Sequence, residues 1–333
     1  MTERGGRSAT PDAIRITTYE DWMREQTVSL FCEQYGRDRE REESHFVRFY
    51  EHPFQRERGI RLVALDGDRV VGFQSFFYWP YCQGERRFET FQSGSSLVGA
   101  AYRGKGIFGR LLRHLDELRQ TRRIDFLMGF PVEMSYRSFI RDGWANPLDL
   151  SWYARVIHPL SVASTVDLAT VDTGFETRAE KIEVWHPADA WSLSKEPDFE
   201  DWRGAYGVDS NHLFLHHREH GGDVRFALKL NRRGRIVELM VGDIVVSDPN
   251  PELLRGALRA LVKRVRAHRF VTILTVALNR AFVADGLVPA LKRRLFFRLR
   301  PEIHFIVKDL GGQHPGVTDP RRWRLLRSDI DTW

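Results

Sequence analysis

The chain has 333 residues, of which 42% are hydrophobic, 12% aromatic and 29% charged. That length suits two domains of about 150 residues each, and so many aromatic residues exclude disorder as the main state. A net charge of +6 suits an anionic substrate and equally an ordinary mixed-charge surface, and no zinc spacing, helix-turn-helix signature or basic tail points to nucleic acid. No apolar run approaches the roughly 20 residues of a membrane span. Met1 to Pro11 is polar and lacks the apolar core of a secretory signal. Cys32 and Cys82 stand alone, so neither a disulfide framework nor a metal site is expected, and a cytoplasmic location is.

Residues 1–12 read as a loose tail. Ile14 to Thr17 fits a strand, Tyr19 to Tyr35 a helix, and Glu42 to Glu51 a second helix that Pro53 ends. The period then changes to two. Ile60 to Leu65, Arg69 to Tyr78 and Arg86 to Val98 are three strands joined by turns at Asp66-Gly67-Asp68 and Gln83-Gly84-Glu85, an antiparallel meander. A Gly-rich loop leads into a helix over Ile107 to Gln120. Ile124 to Phe130 is a buried strand, Met134 to Arg141 a short helix, and Trp144 to Val156 a strand.

A stretch rich in Ser, Thr, Asp and Ala, His158 to Thr177, marks a boundary, after which the plan repeats. Strands are expected at Lys181 to Trp185, His212 to His217, Val224 to Leu230, Arg235 to Val246, Val271 to Val276 and Leu295 to Val307. Helices are expected at Phe199 to Tyr206, Pro251 to His268 and Asn279 to Asp285. Phe199, Trp202 and Tyr206 either pack against the first domain or, the favoured assignment, belong to the second half's own core. Gly99 and Gly242 are 143 residues apart, and so are Gly143 and Gly286, which favours an internal duplication.

The segment Ala101-Tyr102-Arg103-Gly104-Lys105-Gly106-Ile107-Phe108-Gly109-Arg110 follows a strand and opens a helix. Its glycines let a ligand approach the backbone, the helix N–H groups and dipole favour an anion, and Arg103, Lys105 and Arg110 add positive charge. It is a pyrophosphate cradle. It lacks the spacing of a P-loop, and the antiparallel strands before it exclude a dinucleotide-binding fingerprint.

The order of strand, Arg-Gly-Lys-Gly, apolar helix, strand, helix and Gly-aromatic resembles the GNAT superfamily of acyl-CoA-dependent N-acyltransferases. The likeness covers about Ile14 to Val156. Arg103 and Gly106 match the family's pyrophosphate loop, while Phe108 replaces a small residue, with Gly109 next. The implied fold is α/β of the α+β kind: two tandem GNAT-like domains, each a mixed, mostly antiparallel twisted sheet flanked by helices. Residues 1–158 are the expected catalytic domain, 178–310 a degenerate copy and 311–333 a C-terminal tail. At the 143-residue offset, Val246-Ser247-Asp248-Pro249 replaces the cradle, so the second half is expected not to bind coenzyme A.

The resemblance further implies that acetyl-CoA or another acyl-CoA is bound by Ser96, Leu97, Val98, Arg103, Gly104, Lys105, Gly106, Ile107, Phe108, Gly109, Arg110 and Ser135. Gln92, Ser93, Ser95 and His45 are the expected acceptor contacts. A carboxylate is missing from the strand before the loop, and Phe139 stands where the family often has a tyrosine acid. Glu133 and Tyr136 are the expected proton-handling pair. The runs Ser44-His45-Phe46 to His52-Pro53-Phe54 and Gly129-Phe130-Pro131 are similar to a subgroup that includes sugar N-acyltransferases of surface-polysaccharide biosynthesis. The expected reaction is direct attack of a primary amine on the acyl carbon, with a nucleotide-linked amino sugar as acceptor, no metal, no membrane and no nucleic acid. A non-catalytic acyl-CoA-binding module and a transferase acting on a protein or aminoacyl-tRNA are the alternatives, and a homo-oligomer is left open.

Overall fold

The computed structural model describes residues 14–159, 166–168, 170–206 and 212–333. In the first half, β1 (Ile14–Thr18) leads through a tight turn to α1 (Arg24–Tyr35). Asp38 caps α2 (Arg39–Phe46) by accepting the Arg41 N–H at 2.8 Å. Then α2 widens into a π-helical turn, Val47–Glu51, and α3 (Pro53–Arg58) follows. Pro53 ends the α2 run at Glu51 as expected, because the residue before a proline is held extended. It stands at the first position of α3, where its missing N–H costs nothing. The helix expected from Tyr19 starts only at Arg24.

After these come β2 (Ile60–Asp66), β3 (Arg69–Tyr78), β4 (Tyr81–Gln83), β5 (Arg86–Phe88), β6 (Thr90–Val98), α4 (Ile107–Leu118), β7 (Phe126–Gly129), α5 (Glu133–Arg141) and β8 (Ala145–Val156). The long strand expected from Arg86 is thus two strands in two sheets. The second half holds β9 (Trp191–Leu193), α6 (Pro197–Tyr206), β10 (Leu213–Glu219), β11 (Gly222–Arg233), β12 (Ile236–Val246), α7 (Pro251–Ala267), β13 (Ile273–Leu278), α8 (Leu287–Arg293), β14 (Phe297–Lys308) and β15 (Trp323–Arg324). Lys181 to Trp185 is not a strand; Trp185 makes a single backbone bond to the Val246 carbonyl.

Among the described residues, eleven strands form one mixed sheet in the order β1-β2-β3-β6-β7-β14-β8-β13-β12-β11-β10. The order β6-α4-β7-α5-β8 recurs as β12-α7-β13-α8-β14, and the two copies trade their last strands. β14 pairs with β7 and β8, while β8 pairs with β14 and β13. The cores follow the same trade. Phe305, Ile306 and Val307 of β14 join the first half's apolar cluster, and Tyr153 of β8 and Ile157 just after it join the second's. A smaller sheet, β15-β9-β4-β5, ties the halves together again.

The 143-residue offset does not survive. Gly99 follows β6, whereas Gly242 lies inside β12 at a bulge. Gly143 closes α5, but Gly286 opens α8, and no helix covers Asn279 to Asp285. The true counterpart of Gly143 is Leu295, 152 residues on. Trp144 N–H reaches the Phe139 carbonyl at 3.1 Å, and Phe296 N–H reaches the Leu291 carbonyl at 3.1 Å, in the same turn.

Phe199 and Trp202 also depart from the favoured assignment, because α6 packs on the first half. Trp202 contacts Phe49, Phe54, Phe77 and Trp79, and its Nε1 donates to the Phe49 carbonyl at 3.1 Å. No helix of the described residues is long and apolar enough to cross a membrane.

Candidate functional site

The strand pairing opens a slot in the first half. β6 and β7 run parallel and in register from Thr90–Phe126 to Ser93–Gly129. There β7 stops and the chain turns into α5, while β6 continues to Val98. A bulge separates Gly94, opposite Ser75, from Leu97, opposite Phe73, and Ser95 sits in it with φ 33°. The β6 edge from Gly94 to Val98, which holds Ser96, Leu97 and Val98, therefore has no strand partner on the β7 side among the described residues.

Strand alternation sorts the polar residues by face. Ser93 shares a face with Gln74, whose buried amide donates to Ser93 Oγ at 3.1 Å and to the Gly94 carbonyl at 3.0 Å. Ser96 Oγ donates to Gln74 Oε1 at 2.5 Å. Gln92, opposite Phe77, points to the other face, where its fully buried amide has no hydrogen-bond partner among the described residues. His45 belongs to that other side as well. Its ring stacks on Phe49 at 4.9 Å, Phe49 meets Phe77, and burial pushes its pKa down. The four expected acceptor contacts thus divide between the two faces of the sheet.

At the far end of the slot, Gly106 precedes α4 with φ 73° and offers no capping side chain. Helix geometry leaves the Ile107, Phe108 and Gly109 N–H groups without partners inside the helix. A Cβ at Gly104 or Gly106 would meet nothing within 4 Å, so the cradle is open. Arg103 lies over the strand end, with Nε on the Val98 carbonyl at 3.2 Å and Nη2 on Gln34 at 2.5 Å. The Lys105 ammonium sits 5.0 Å from the Tyr102 ring centre, and Tyr102 is anchored on Asp66 at 2.7 Å. Arg110 turns to the Ile14 carbonyl at 2.5 Å. Phe108 packs edge-on against Phe139 at 5.3 Å, fixing α4 against α5.

The first turn of α5 brings Glu133, Ser135 and Tyr136 to the end of β7. Ser135 Oγ donates to the Val132 carbonyl. Tyr136 donates to Asn146 Oδ1 at 3.3 Å and stacks on His304 at 4.4 Å between ring centres. His304 comes from β14. Its Nδ1 lies 2.9 Å from Asp149 on β8, and its Nε2 lies 3.5 Å from Glu133. The two carboxylates outweigh burial and hold the imidazole pKa above its ordinary value. Sequence reasoning missed His304, Asp149 and Asn146, because nothing local says that β14 enters the first half. The only sequence signal was a lone histidine in a closing strand.

Among the described residues the second half has no matching opening. Asn250 caps α7 by accepting the Glu252 N–H at 2.9 Å, and Pro251 supplies no N–H. The C-terminal segment fills the space beside β12. Arg324 donates to the Ile244 carbonyl at 2.6 Å, Asn279 N–H to the Leu325 carbonyl at 3.0 Å, and Leu278 bridges to Leu326. Trp333 covers Gly242 so closely that a Cβ there would lie 2.0 Å from its ring.

No protein-family model matches the chain, and no curated protein does. Solved structures do. A GCN5-related N-acetyltransferase from Anabaena variabilis ATCC 29413 superposes with a TM-score of 0.59 at 12% identity, over 90% of this chain and 73% of that one. One from Kribbella flavida gives 0.58 at 14% identity, over 88% and 70%. Eis1 from Mycobacterium abscessus gives 0.55 at 12% identity, over 92% and 75%. The chain thus has the fold of the GCN5-related N-acetyltransferases, a large mixed sheet flanked by helices.

Proposed function

We propose that this protein is an acyl-CoA-dependent N-acyltransferase that uses one coenzyme site, in the first half. The observation that carries the reading is the uncapped, open start of α4 lying in line with the unpaired β6 edge. The cradle residues Arg103 to Arg110 fit a pyrophosphate, and the backbone of Ser96, Leu97 and Val98 fits an amide-bearing arm laid along the edge. Ser135 lies beside the slot's mouth on α5. When bound, the coenzyme supplies an acyl thioester open to direct attack by an amine.

The chain's own contribution is mainly positioning. Gln74 orders Ser93 and Ser96 beside the slot, and Glu133 and Tyr136 are the groups we assign to proton handling. In this reading residues 1–158 carry the coenzyme site, which β14 of the second half completes, 178–310 is a copy without a cradle, and 311–333 is the tail that closes that copy. A nucleotide-linked amino sugar is the acceptor class we propose, supported by the subgroup motifs around His45, Pro53 and Pro131. Free Cys32 and Cys82 suit the cytoplasm.

Phe139 favours a second reading, a non-catalytic acyl-CoA-binding module. It is packed between Phe108 and Trp144 and offers no hydroxyl. Thiol release from acetyl-CoA with a panel of amines, amino sugars included, separates the two. For the coenzyme site itself, Gly106→Glu places a negative charge in the cradle. Acetyl-CoA binding by calorimetry should fall at least about 100-fold while the circular dichroism spectrum persists. Unchanged affinity refutes the site.

A further inference from the structure

The gap that β7 leaves is walled by both halves of the chain. Ser93 pairs with Gly129, and Gly129 pairs with Ile306. Two residues beyond that row, the parallel strand β6 has reached Ser95 and the antiparallel strand β14 has reached His304. The imidazole therefore stands level with the unpaired β6 edge, on the face shared by Ser93, Ile306, α4 and α5, across a gap of two strand spacings, about 10 Å.

We infer that His304, delivered by the exchanged strand β14, donates the proton that the departing thiolate takes up at the first half's site. The inference rests on the acyl-transfer reading above. His304 and the cradle lie on one face of the sheet, which makes its wall the leaving-group side. Asp149 holds the Nδ1 proton at 2.9 Å, so the mobile proton is the one on Nε2, the nitrogen turned to Glu133 at the mouth of the slot. The groups facing the ring are Asp149 from β8 and Glu133 and Tyr136 from α5. Glu302, two residues along β14, is engaged by Arg298 and Ser151. Both facing carboxylates favour the imidazolium, the form that can donate.

The step balances. The amine lone pair forms the C–N bond, the C–S bond breaks with its electron pair going to sulfur, and the nitrogen gives its proton to solvent. Nε2 gives its proton to the thiolate and regains one from solvent through Glu133. Tyr136 shares in this proton handling from beside the ring: it stacks on the imidazole, and its hydroxyl donates to Asn146 Oδ1.

The test uses the full chain with coenzyme A as probe and histidine NMR as readout, His304 being assigned by its loss in His304→Gln. In the free protein His304 should titrate above an ordinary histidine, and Asp149→Asn should bring it down. Coenzyme A should shift both the resonance and the titration midpoint. With acetyl-CoA and hydroxylamine, an acceptor already neutral at neutral pH, kcat should fall on the alkaline side as the imidazolium is lost. His304→Gln should lower kcat at least about tenfold and flatten that limb, with coenzyme affinity unchanged. Coenzyme A that binds at the wild-type affinity yet leaves the His304 titration unmoved overturns the inference and spares the coenzyme site. Failure of the wild-type protein to bind coenzyme A removes both.

Discussion

Leu295 occupies a backbone position that its counterpart fills with glycine. Gly143 has φ 84° and Leu295 φ 61°, in turns with matching hydrogen bonds after α5 and α8. The Leu295 side chain is 75% exposed, so burial returns little for the strain. A left-handed residue other than glycine costs roughly 1–2 kcal/mol, and glycine's extra freedom in the unfolded chain takes back up to about 1 kcal/mol. Leu295→Gly should therefore be neutral to stabilising, by at most about 1 kcal/mol. Gly143→Leu should correspondingly be neutral to destabilising, by at most about 1 kcal/mol, and nothing lies within 4 Å of the added Cβ to add a clash. Urea midpoints of the two variants check this, and a loss of stability in Leu295→Gly would show that the leucine side chain matters there.

At the scale of elements, the chain's two helix starts after parallel-pairing strands differ by what meets their N–H groups. α4 begins at a bare glycine, whereas α7 is capped by Asn250, begins with Pro251 and carries Glu252 in its first turn. Beside α7, the C-terminal segment already occupies the edge of β12 that corresponds to the open β6 edge proposed to hold a coenzyme arm. Calorimetry of acetyl-CoA should accordingly give one site per chain, and two equivalent sites would contradict this. Much of the element pattern was legible in the sequence. β3 and the start of α7 were read at their true residues, because a turn at Asp66-Gly67-Asp68 and a proline in the first turn are local signals. The start of α4 at Ile107 was legible for the same reason, since Gly104 and Gly106 are local signals. Asn279 to Asp285 was misread because Asp285-Gly286 resembles a helix end. In fact the Asp285 carboxylate accepts the Leu287 N–H at 3.0 Å, marking a start. His304 and Asp149 were not legible, since alternation along a strand says which face is buried and not which strand lies next to it.

On the scale of the whole molecule, the strand trade makes each half depend on the other. Removing residues 166–333 takes β14 from between β7 and β8, so the Phe126–Gly129 and Ala145–Val156 edges lose their partners. The first core also loses Phe305, Ile306 and Val307, each at most 1% exposed in the intact chain, together with Phe199 and Trp202. Burying a large apolar side chain contributes about 1.5–3 kcal/mol, so five such losses exceed much of the roughly 5–15 kcal/mol that holds a domain folded. Unpaired edges and bare apolar surface lead to aggregation or to strand swapping between copies. Residues 1–159 expressed alone should therefore aggregate or self-associate and fail to bind acetyl-CoA, although the whole cradle is present. Co-expression with residues 166–333 should restore a heterodimer that binds one acetyl-CoA. The checks are size-exclusion chromatography and calorimetry on both preparations. A monomeric 1–159 fragment with full affinity for acetyl-CoA would mean that β7 and β8 can close on each other without β14, and that the exchange is a connection between two self-sufficient units.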